Sequence, residues 1–455
     1  MSLALGPSVR QFAERVARRA HDVASTMSVE VVSLVSLSVI FPLTIRGLGA
    51  ELYGMYTVLY VIFGLAGLWV YAGPSAAVVQ LILQLRNDSA ELLALARRHV
   101  LMATVPVALV GTAIAVGLFG WRILVPAVLV LSVDFALTSL SNLNLAVVFA
   151  VEGVVRSSNV RLLQPVLRAS GVAALALGDL ITITALVCVN IAASGVLLLR
   201  SGRAVRRIDS TNAEEARPAN GKELIRYSSL YAASMSTNAV QNEGEKFVLA
   251  TTRPAAEVGQ YAAAYRVVSM ALVPLSALVV AANRWFMVRD EREGAQLTRA
   301  ARLTLPTALY GAVAGVAIFI GRDLVQWVAG SQFDDVALIS AWLCLLPLLH
   351  GLAELPPMGL LGLGRNRERM LMGLITSAVA LVSYLALVPQ FGWRGAVIGT
   401  YVSETAAIVA GWVLLVRFQR IADRTSQRLS PASGPAVRTS AGTAPPSAAP
   451  SETVR

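Results

Sequence analysis

The chain has 455 residues, of which 56% are hydrophobic and only 14% are charged, whereas a soluble globular chain carries roughly 25% charged residues. Repeated apolar runs of about 20 residues exclude an ordinary soluble protein and predict a polytopic membrane protein. The formal net charge of +11 would suggest nucleic-acid binding in a soluble chain, but in a membrane protein it marks cytoplasmic loops, so no nucleic-acid partner is expected.

Residues 1–26 form the first predicted segment, on the cytoplasmic side. Apolar residues recur at helical spacing from Val9 to Val23 and alternate with arginines. This pattern fits an amphipathic helix that lies on an anionic leaflet, and a frayed basic terminus fits it equally well. No apolar run precedes Met27, so a cleavable signal peptide is not expected.

Six apolar spans follow and make up a first predicted lobe, residues 27–199. They run at about 27–45, 53–83, 100–119, 123–151, 160–177 and 180–199. Gly73 and Pro74 interrupt the second span, which is long for a bilayer. Such a break lets a helix bend and frees backbone carbonyls to face a cavity.

A strongly polar stretch, residues 200–226, divides the chain. It carries seven basic residues, which cannot lie in hydrocarbon because each buried charge costs several kcal/mol. We interpret it as a cytoplasmic linker. A second lobe, residues 227–422, repeats the plan with spans at about 227–250, 258–282, 303–320, 336–354, 370–388 and 396–416. Residues 423–455 are rich in Ser, Ala, Pro and Thr and predict a disordered cytoplasmic tail.

The distribution of basic residues fixes the predicted topology. With the N-terminus inside, about 30 of the 38 Lys and Arg residues fall in inside segments, and six fall in outside loops. Both termini are then cytoplasmic, as the positive-inside rule requires of twelve spans in the cytoplasmic membrane. Away from the span ends, only Arg168 and Arg266 lie within spans.

Cysteines and histidines indicate neither a disulfide framework nor a metal site. Cys188 and Cys344 both lie in apolar segments. The histidines, His21, His99 and His350, show no ligand spacing. No metal and no cofactor are therefore expected.

The two lobes share a short motif at the same place. Residues 51–56 read Glu-Leu-Tyr-Gly-Met-Tyr at the start of the second span, and residues 257–261 read Glu-Val-Gly-Gln-Tyr at the start of the eighth. Both contain Glu, an apolar residue and Gly-x-Tyr. Matching motifs in two halves of equal span number predict a parallel repeat, related by an axis along the membrane normal.

On these residues the chain resembles the polysaccharide-exporting, O-antigen-flippase-like branch of the multidrug/oligosaccharidyl-lipid/polysaccharide exporter superfamily. The likeness is carried by Arg46–Tyr56, Glu245–Leu249, Val258–Arg266, Gly321–Phe333 and Val388–Ala396. The resemblance implies an all-α bundle of about twelve transmembrane helices, in two six-helix lobes around a central cavity. It also implies transport of a polyprenyl-diphosphate-linked glycan by alternating access, with membrane lipids and glycan assembly enzymes as further partners.

Arg168 and Arg266 are the candidate contacts for the diphosphate. A charge in mid-span faces a cavity or a partner, and a guanidinium offers a two-pronged fork to phosphate oxygens. The alternative for each is a structural ion pair. For Arg168 the candidate acids are Asp134 and Glu152.

The seventh span carries a polar stripe. Asn238, Gln241, Asn242 and Glu245 follow the spacing i, i+3, i+4 and i+7, which places them on one helical face. We predict a cavity wall, and the alternative is a hydrogen-bond network between helices. Three basic residues near the predicted outer end are expected to be rim or interface anchors: Arg46, Lys246 and Arg253.

Acidic residues in or near spans are candidates for a coupling proton, because desolvation favours the neutral carboxyl. We retain Glu30, Asp134 and Glu404 for this role. The alternative for each is a structural partner for an arginine.

Three functions are compatible with these sequence features. The first is a lipid-linked glycan flippase, which is not an enzyme. The second is a cation-coupled multidrug antiporter of the same superfamily. The third is a multi-span polysaccharide polymerase, which would be expected to carry a large extramembrane loop, whereas the outside loops here are short.

Overall fold

The computed structural model describes residues 7–208, 217–287 and 295–429. Within these ranges the regular elements are helices, apart from one isolated bridge between Asn87 and Arg217. The all-α class predicted from the sequence is confirmed.

The first lobe contains eight α-helices and is interrupted by short turns of other helix types. The helices are α1 (Pro7–Gly67), α2 (Gly73–Leu85), α3 (Ser89–Phe119), α4 (Leu124–Val128), α5 (Phe135–Glu152), α6 (Val154–Arg161), α7 (Leu163–Leu177) and α8 (Ile183–Arg206). Two π-helical turns, Leu68–Ala72 and Leu129–Asp134, break the regular register. The first directly precedes the predicted Gly73-Pro74 interruption, and Pro74 lies in the first turn of α2.

The second lobe contains the other eight α-helices. They are α9 (Gly221–Thr252), α10 (Ala255–Met287), α11 (Ala295–Ile320), α12 (Arg322–Ala329), α13 (Val336–Trp342), α14 (Leu346–Gly362), α15 (Asn366–Phe391) and α16 (Trp393–Leu429).

Twelve crossing segments account for the described helices. In the described part of the chain, nine stretches are long and apolar enough to cross a membrane. The first, Val31–Leu85, contains two spans, because Gly49 leaves helical geometry with φ 72° and ψ 174°. Helices α9 and α10, with 32 and 33 residues, also exceed the length of a span.

The connections gather at two ends of the molecule. At one end, Arg46 donates hydrogen bonds of 2.8 Å to the carbonyls of Trp327 and Val328. At the same end, Arg122 pairs with Glu51 at 2.5 Å. We call this the Arg46 end. It brings together the loops that the charge count assigns to the outside.

The opposite end, which we call the Arg217 end, holds the linker. Asn87 donates to the carbonyl of Pro218 at 3.0 Å, and the amide of Ala219 donates to Glu91 at 2.9 Å. The linker is thereby docked on the turn between α2 and α3. The alternation of loops between two ends agrees with the predicted order of spans.

Helices extend past the boundaries predicted for linker and tail. Helix α8 continues to Arg206, and its last turns carry arginines, which the negative end of a helix dipole favours. Helix α9 begins at Gly221, where Asn220 caps it by accepting from the amide of Lys222 at 3.0 Å. Helix α16 continues to Leu429. The remaining parts of the predicted linker and tail, 209–216 and 430–455, lie outside the described residues.

The lobes touch backbone to backbone at the Arg46 end. Helix α1 packs against α10, and the two Gly-x-Tyr motifs meet there. A Cβ atom on Gly54 would lie 1.9 Å from the carbonyl oxygen of Ala255, and one on Gly259 would lie 1.9 Å from that of Ala50. The contact is reciprocal, as a parallel repeat requires, and only residues without a side chain allow it.

Candidate functional site

Arg168 lies half-buried on α7, and its Nε is buried without a hydrogen-bond partner. Arg266 is exposed on α10. Among the described residues, neither guanidinium has a carboxylate within ion-pair distance. Glu152, one acid considered for Arg168, pairs instead with Arg156 at 3.3 Å.

Asp134, the other acid considered for Arg168, is fully buried in a network of neutral groups. It accepts from Ser194 at 2.8 Å and from Tyr60 at 3.1 Å. Asn190 in turn donates to the hydroxyl of Tyr60 at 2.6 Å. These hydroxyl and amide groups therefore offset the free-energy cost of burying the carboxyl. A buried carboxyl without hydrogen-bond partners would be destabilising.

Tyrosines of α1 connect the two arginines. The hydroxyl of Tyr56 lies within electrostatic range of both Arg168 and Arg266. The hydroxyl of Tyr53 lies beside Arg266. Since α1 packs against both α7 and α10, this helix brings one arginine from each lobe to the same surface.

Lys246 adds a third cation to this region and corrects the prediction of a rim anchor. Its side chain is buried on α9 and donates to the carbonyl of Asn242 at 3.0 Å and to Glu243 at 2.8 Å. Its Nζ also lies 4.0 Å from the ring centroid of Tyr265, a cation–π contact. The prediction is wrong because the side chain is buried against Glu243 and Tyr265 and does not extend to the rim.

Arg46 and Arg253, the other two predicted anchors, do lie at the Arg46 end. Arg253 donates to the carbonyl of Pro389 at 2.9 Å. Like Arg46, it donates to a backbone carbonyl in the last turn of a neighbouring helix.

The four residues of the polar stripe on α9 differ in how deeply they are buried. Asn238 is exposed, and Gln241 and Asn242 are half-buried. Glu245 is completely buried, and its Oε1 lies 3.4 Å from Nζ of Lys246. The first three side chains are accessible to a ligand, whereas Glu245 acts on the site through Lys246.

The remaining candidate acids differ in their surroundings. The backbone of α1 at Glu30 is helical, but its side chain lies outside the described part. Glu404 is buried on α16, and its Oε1 lies 2.9 Å from Nδ1 of His350 on α14. His350 showed no partner in the sequence because the two residues are 54 positions apart.

The two lobes of six spans thus carry Arg168 and Arg266 on the helices that pack against α1. Residues 45–338 match the family model described as "Polysaccharide biosynthesis protein". This match covers more than half of the chain, and the chain belongs to that family. No curated protein sequence matches the chain.

Solved structures show the same fold. The chain is similar to an inward-facing multidrug resistance MATE family transporter of the MOP superfamily, with a TM-score of 0.65, 14% identity, and coverage of 87% of this chain and 96% of that chain. It is also similar to the lipid II flippase MurJ in its inward closed conformation, with a TM-score of 0.65, 11% identity and coverage of 90% of each chain. An outward-facing MATE family transporter matches with a TM-score of 0.60, 13% identity and coverage of 89% and 96%.

Proposed function

We propose that the chain is a flippase that moves a polyprenyl-diphosphate-linked oligosaccharide across the cytoplasmic membrane for the synthesis of surface polysaccharide. The observation that carries the proposal is the placement of Arg168 and Arg266, one from each lobe, around Tyr56 without a carboxylate partner in the described ranges. A diphosphate loses its hydration shell on the way across, and cations fixed in place compensate for that loss.

The neutral and polar side chains nearby suit the rest of an anionic head group. Asn238, Gln241 and Asn242 offer amide donors and acceptors beside Lys246, which is where a sugar's hydroxyl groups would be held. Tyr53 and Tyr56 add hydroxyl groups and aromatic surface. A cationic drug would meet the two guanidinium groups of Arg168 and Arg266, which have no carboxylate partner among the described residues, and this repulsion disfavours the multidrug antiporter function.

An apolar groove beside the cations suits the lipid part of the substrate. It has a volume of about 420 Å³ and lies between α1, α3 and α9. Phe247 lines it and is adjacent in sequence to Lys246. The groove opens toward the bilayer through exposed Val110, and we propose it as the place of the first isoprene units.

Deletion of the gene tests the function directly. We expect polyprenyl-diphosphate-linked glycan to accumulate in the cell and surface polysaccharide to disappear, with drug susceptibility unchanged. Lipid extraction with mass spectrometry measures the first effect, and surface labelling of glycan measures the second. Normal glycan export together with raised drug sensitivity would instead establish the antiporter.

The proposed orientation places the Arg217 end in the cytoplasm, together with both termini. Single cysteines at Asn212 and Arg122, in a chain lacking Cys188 and Cys344, distinguish the two ends. An impermeant thiol reagent added to intact cells is expected to label position 122 and to leave position 212 unlabelled until the cells are opened. Labelling of position 212 in intact cells would reverse the orientation.

A further inference from the structure

A buried imidazole–carboxylate pair lies in the second lobe, on helices that the glycan site does not use. Nδ1 of His350 on α14 and Oε1 of Glu404 on α16 are 2.9 Å apart, and Glu404 is only 2% exposed. Ionisable groups within membrane spans are costly and are kept for a function or a partner. Neither residue of this pair belongs to the proposed glycan site.

Two features show that the pair is not a fully satisfied structural contact. The second carboxylate oxygen of Glu404, Oε2, is buried and has no hydrogen-bond partner. On the other side of the ring, Nε2 of His350 lies 4.0 Å from Oε1 of Glu354, which is too long for a hydrogen bond. The imidazole is therefore placed between two carboxylates, and one carboxylate oxygen is left unpaired in an apolar interior.

The titratable groups near the pair lie on α14, α10 and α15. Glu354 is on α14 itself and is partly exposed. Tyr265 on α10 and Tyr384 on α15 lie within electrostatic range of Glu404. Among the described residues, no lysine or arginine forms an ion pair with Glu404 or Glu354. The charge of the pair is thus set by its own protons and not by a fixed cation.

We propose that His350 and Glu404 form a proton-binding site, and that exchange of one proton at this site drives the change between the two conformations of the transporter. Its coupling role rests on the proposed transport function. In the loaded form, an imidazolium lies between the carboxylates of Glu404 and Glu354. In the unloaded form, the imidazole is neutral and the proton has passed to the aqueous phase. No other reactant is needed.

The position of the site explains how its charge would reach the substrate. Tyr265 lies on the path between the two regions, because it is within range of Glu404 and its ring covers Lys246 at 4.0 Å. A unit change of charge on the pair is therefore felt by Lys246, the cation beside the proposed sugar contacts. Proton uptake would add one positive charge near Lys246, and proton release would remove it.

Proton binding is measured on the purified full chain, without a glycan. The chain has three histidines, so isotope-labelled histidine gives few NMR signals, and His350→Asn identifies the signal of interest. We expect Glu404→Gln to lower the proton affinity of His350 at least about tenfold, because a buried counter-charge is lost. Two controls accompany this measurement. The titration of His99 should not change in Glu404→Gln, and the titration of His350 should not change in the first-lobe variant Glu152→Gln. An unchanged titration of His350 in Glu404→Gln overturns the site.

The coupling is measured through the distance between the lobes. Spin labels at Arg156 and Arg369, which are exposed and lie on different lobes, report this distance by pulsed electron paramagnetic resonance. In the native chain we expect the distribution to change with pH, and in His350→Asn and Glu404→Gln we expect it not to. A distribution that is independent of pH in the native chain, or equally dependent in the variants, overturns the proposal. Neither experiment requires a glycan, so a wrong substrate assignment would leave both results interpretable.

Discussion

Replacing Arg168 or Arg266 with alanine is expected to reduce glycan export at least tenfold while the protein remains normally abundant. Each guanidinium is proposed to donate charge-assisted hydrogen bonds to the diphosphate, worth roughly 1.5–3 kcal/mol each. A loss of about 1.4 kcal/mol already corresponds to a factor of ten. The measurement is complementation of the gene deletion, read as surface glycan per unit of membrane-inserted protein.

Two further variants distinguish substrate binding from a structural role. Lysine at position 168 or 266 restores the charge without the fork geometry and should rescue export only in part. Arg322→Ala, at the exposed surface of the Arg46 end, is the matched control and should export normally. If both alanine variants were abundant and exported at the native rate, neither arginine would bind the substrate. A fall in abundance instead would indicate a structural role.

Alanine at Gly54 or Gly259 is expected to open the contact between the lobes at the Arg46 end and to reduce export. At both glycines a Cβ would lie 1.9 Å from a carbonyl oxygen of the opposite helix, so the helices must separate. Overpacking of this kind costs about 1–3 kcal/mol, which corresponds to a shift of roughly 5- to 150-fold away from the closed contact.

Thiol labelling at position 258 measures this opening. Val258 is completely buried beside the crossing, so a cysteine there should react slowly in the native background and faster with either alanine. Gly64→Ala is the control on the same helix, because nothing lies within 4 Å of its Cβ position. It should change neither labelling nor export. Equal labelling in all variants would mean that this glycine contact does not close the transporter.

The twelve-span architecture was readable from the sequence because hydrophobic length and loop charge are local properties. Apolar runs and the positive-inside rule require no knowledge of packing. The Gly-x-Tyr repeat was also visible. The sequence pattern did not reveal the reciprocal contact of Gly54 and Gly259, because helix crossings depend on the packing of both lobes.

The candidate site was predicted in part. Arg168 and Arg266 were found because charges within spans are rare. Lys246 was assigned to the rim because it is close to the end of its span, and the sequence does not show that its side chain is buried against Tyr265. An arginine was the structural partner considered for Asp134 as the alternative to a coupling role. The network of Tyr60, Asn190 and Ser194 consists of neutral groups, which are too common in sequences to be singled out.

Binding of a lipid diphosphate to the purified protein tests directly whether Arg168 and Arg266 hold the diphosphate of the substrate. Native mass spectrometry in detergent compares a synthetic polyprenyl diphosphate with the polyprenol that lacks phosphate. We expect the native chain to retain the diphosphate far better than the polyprenol. In the double variant Arg168→Ala/Arg266→Ala, the ratio of retained diphosphate to retained polyprenol should fall by tenfold or more. Equal retention of the diphosphate by the native chain and the double variant would contradict it.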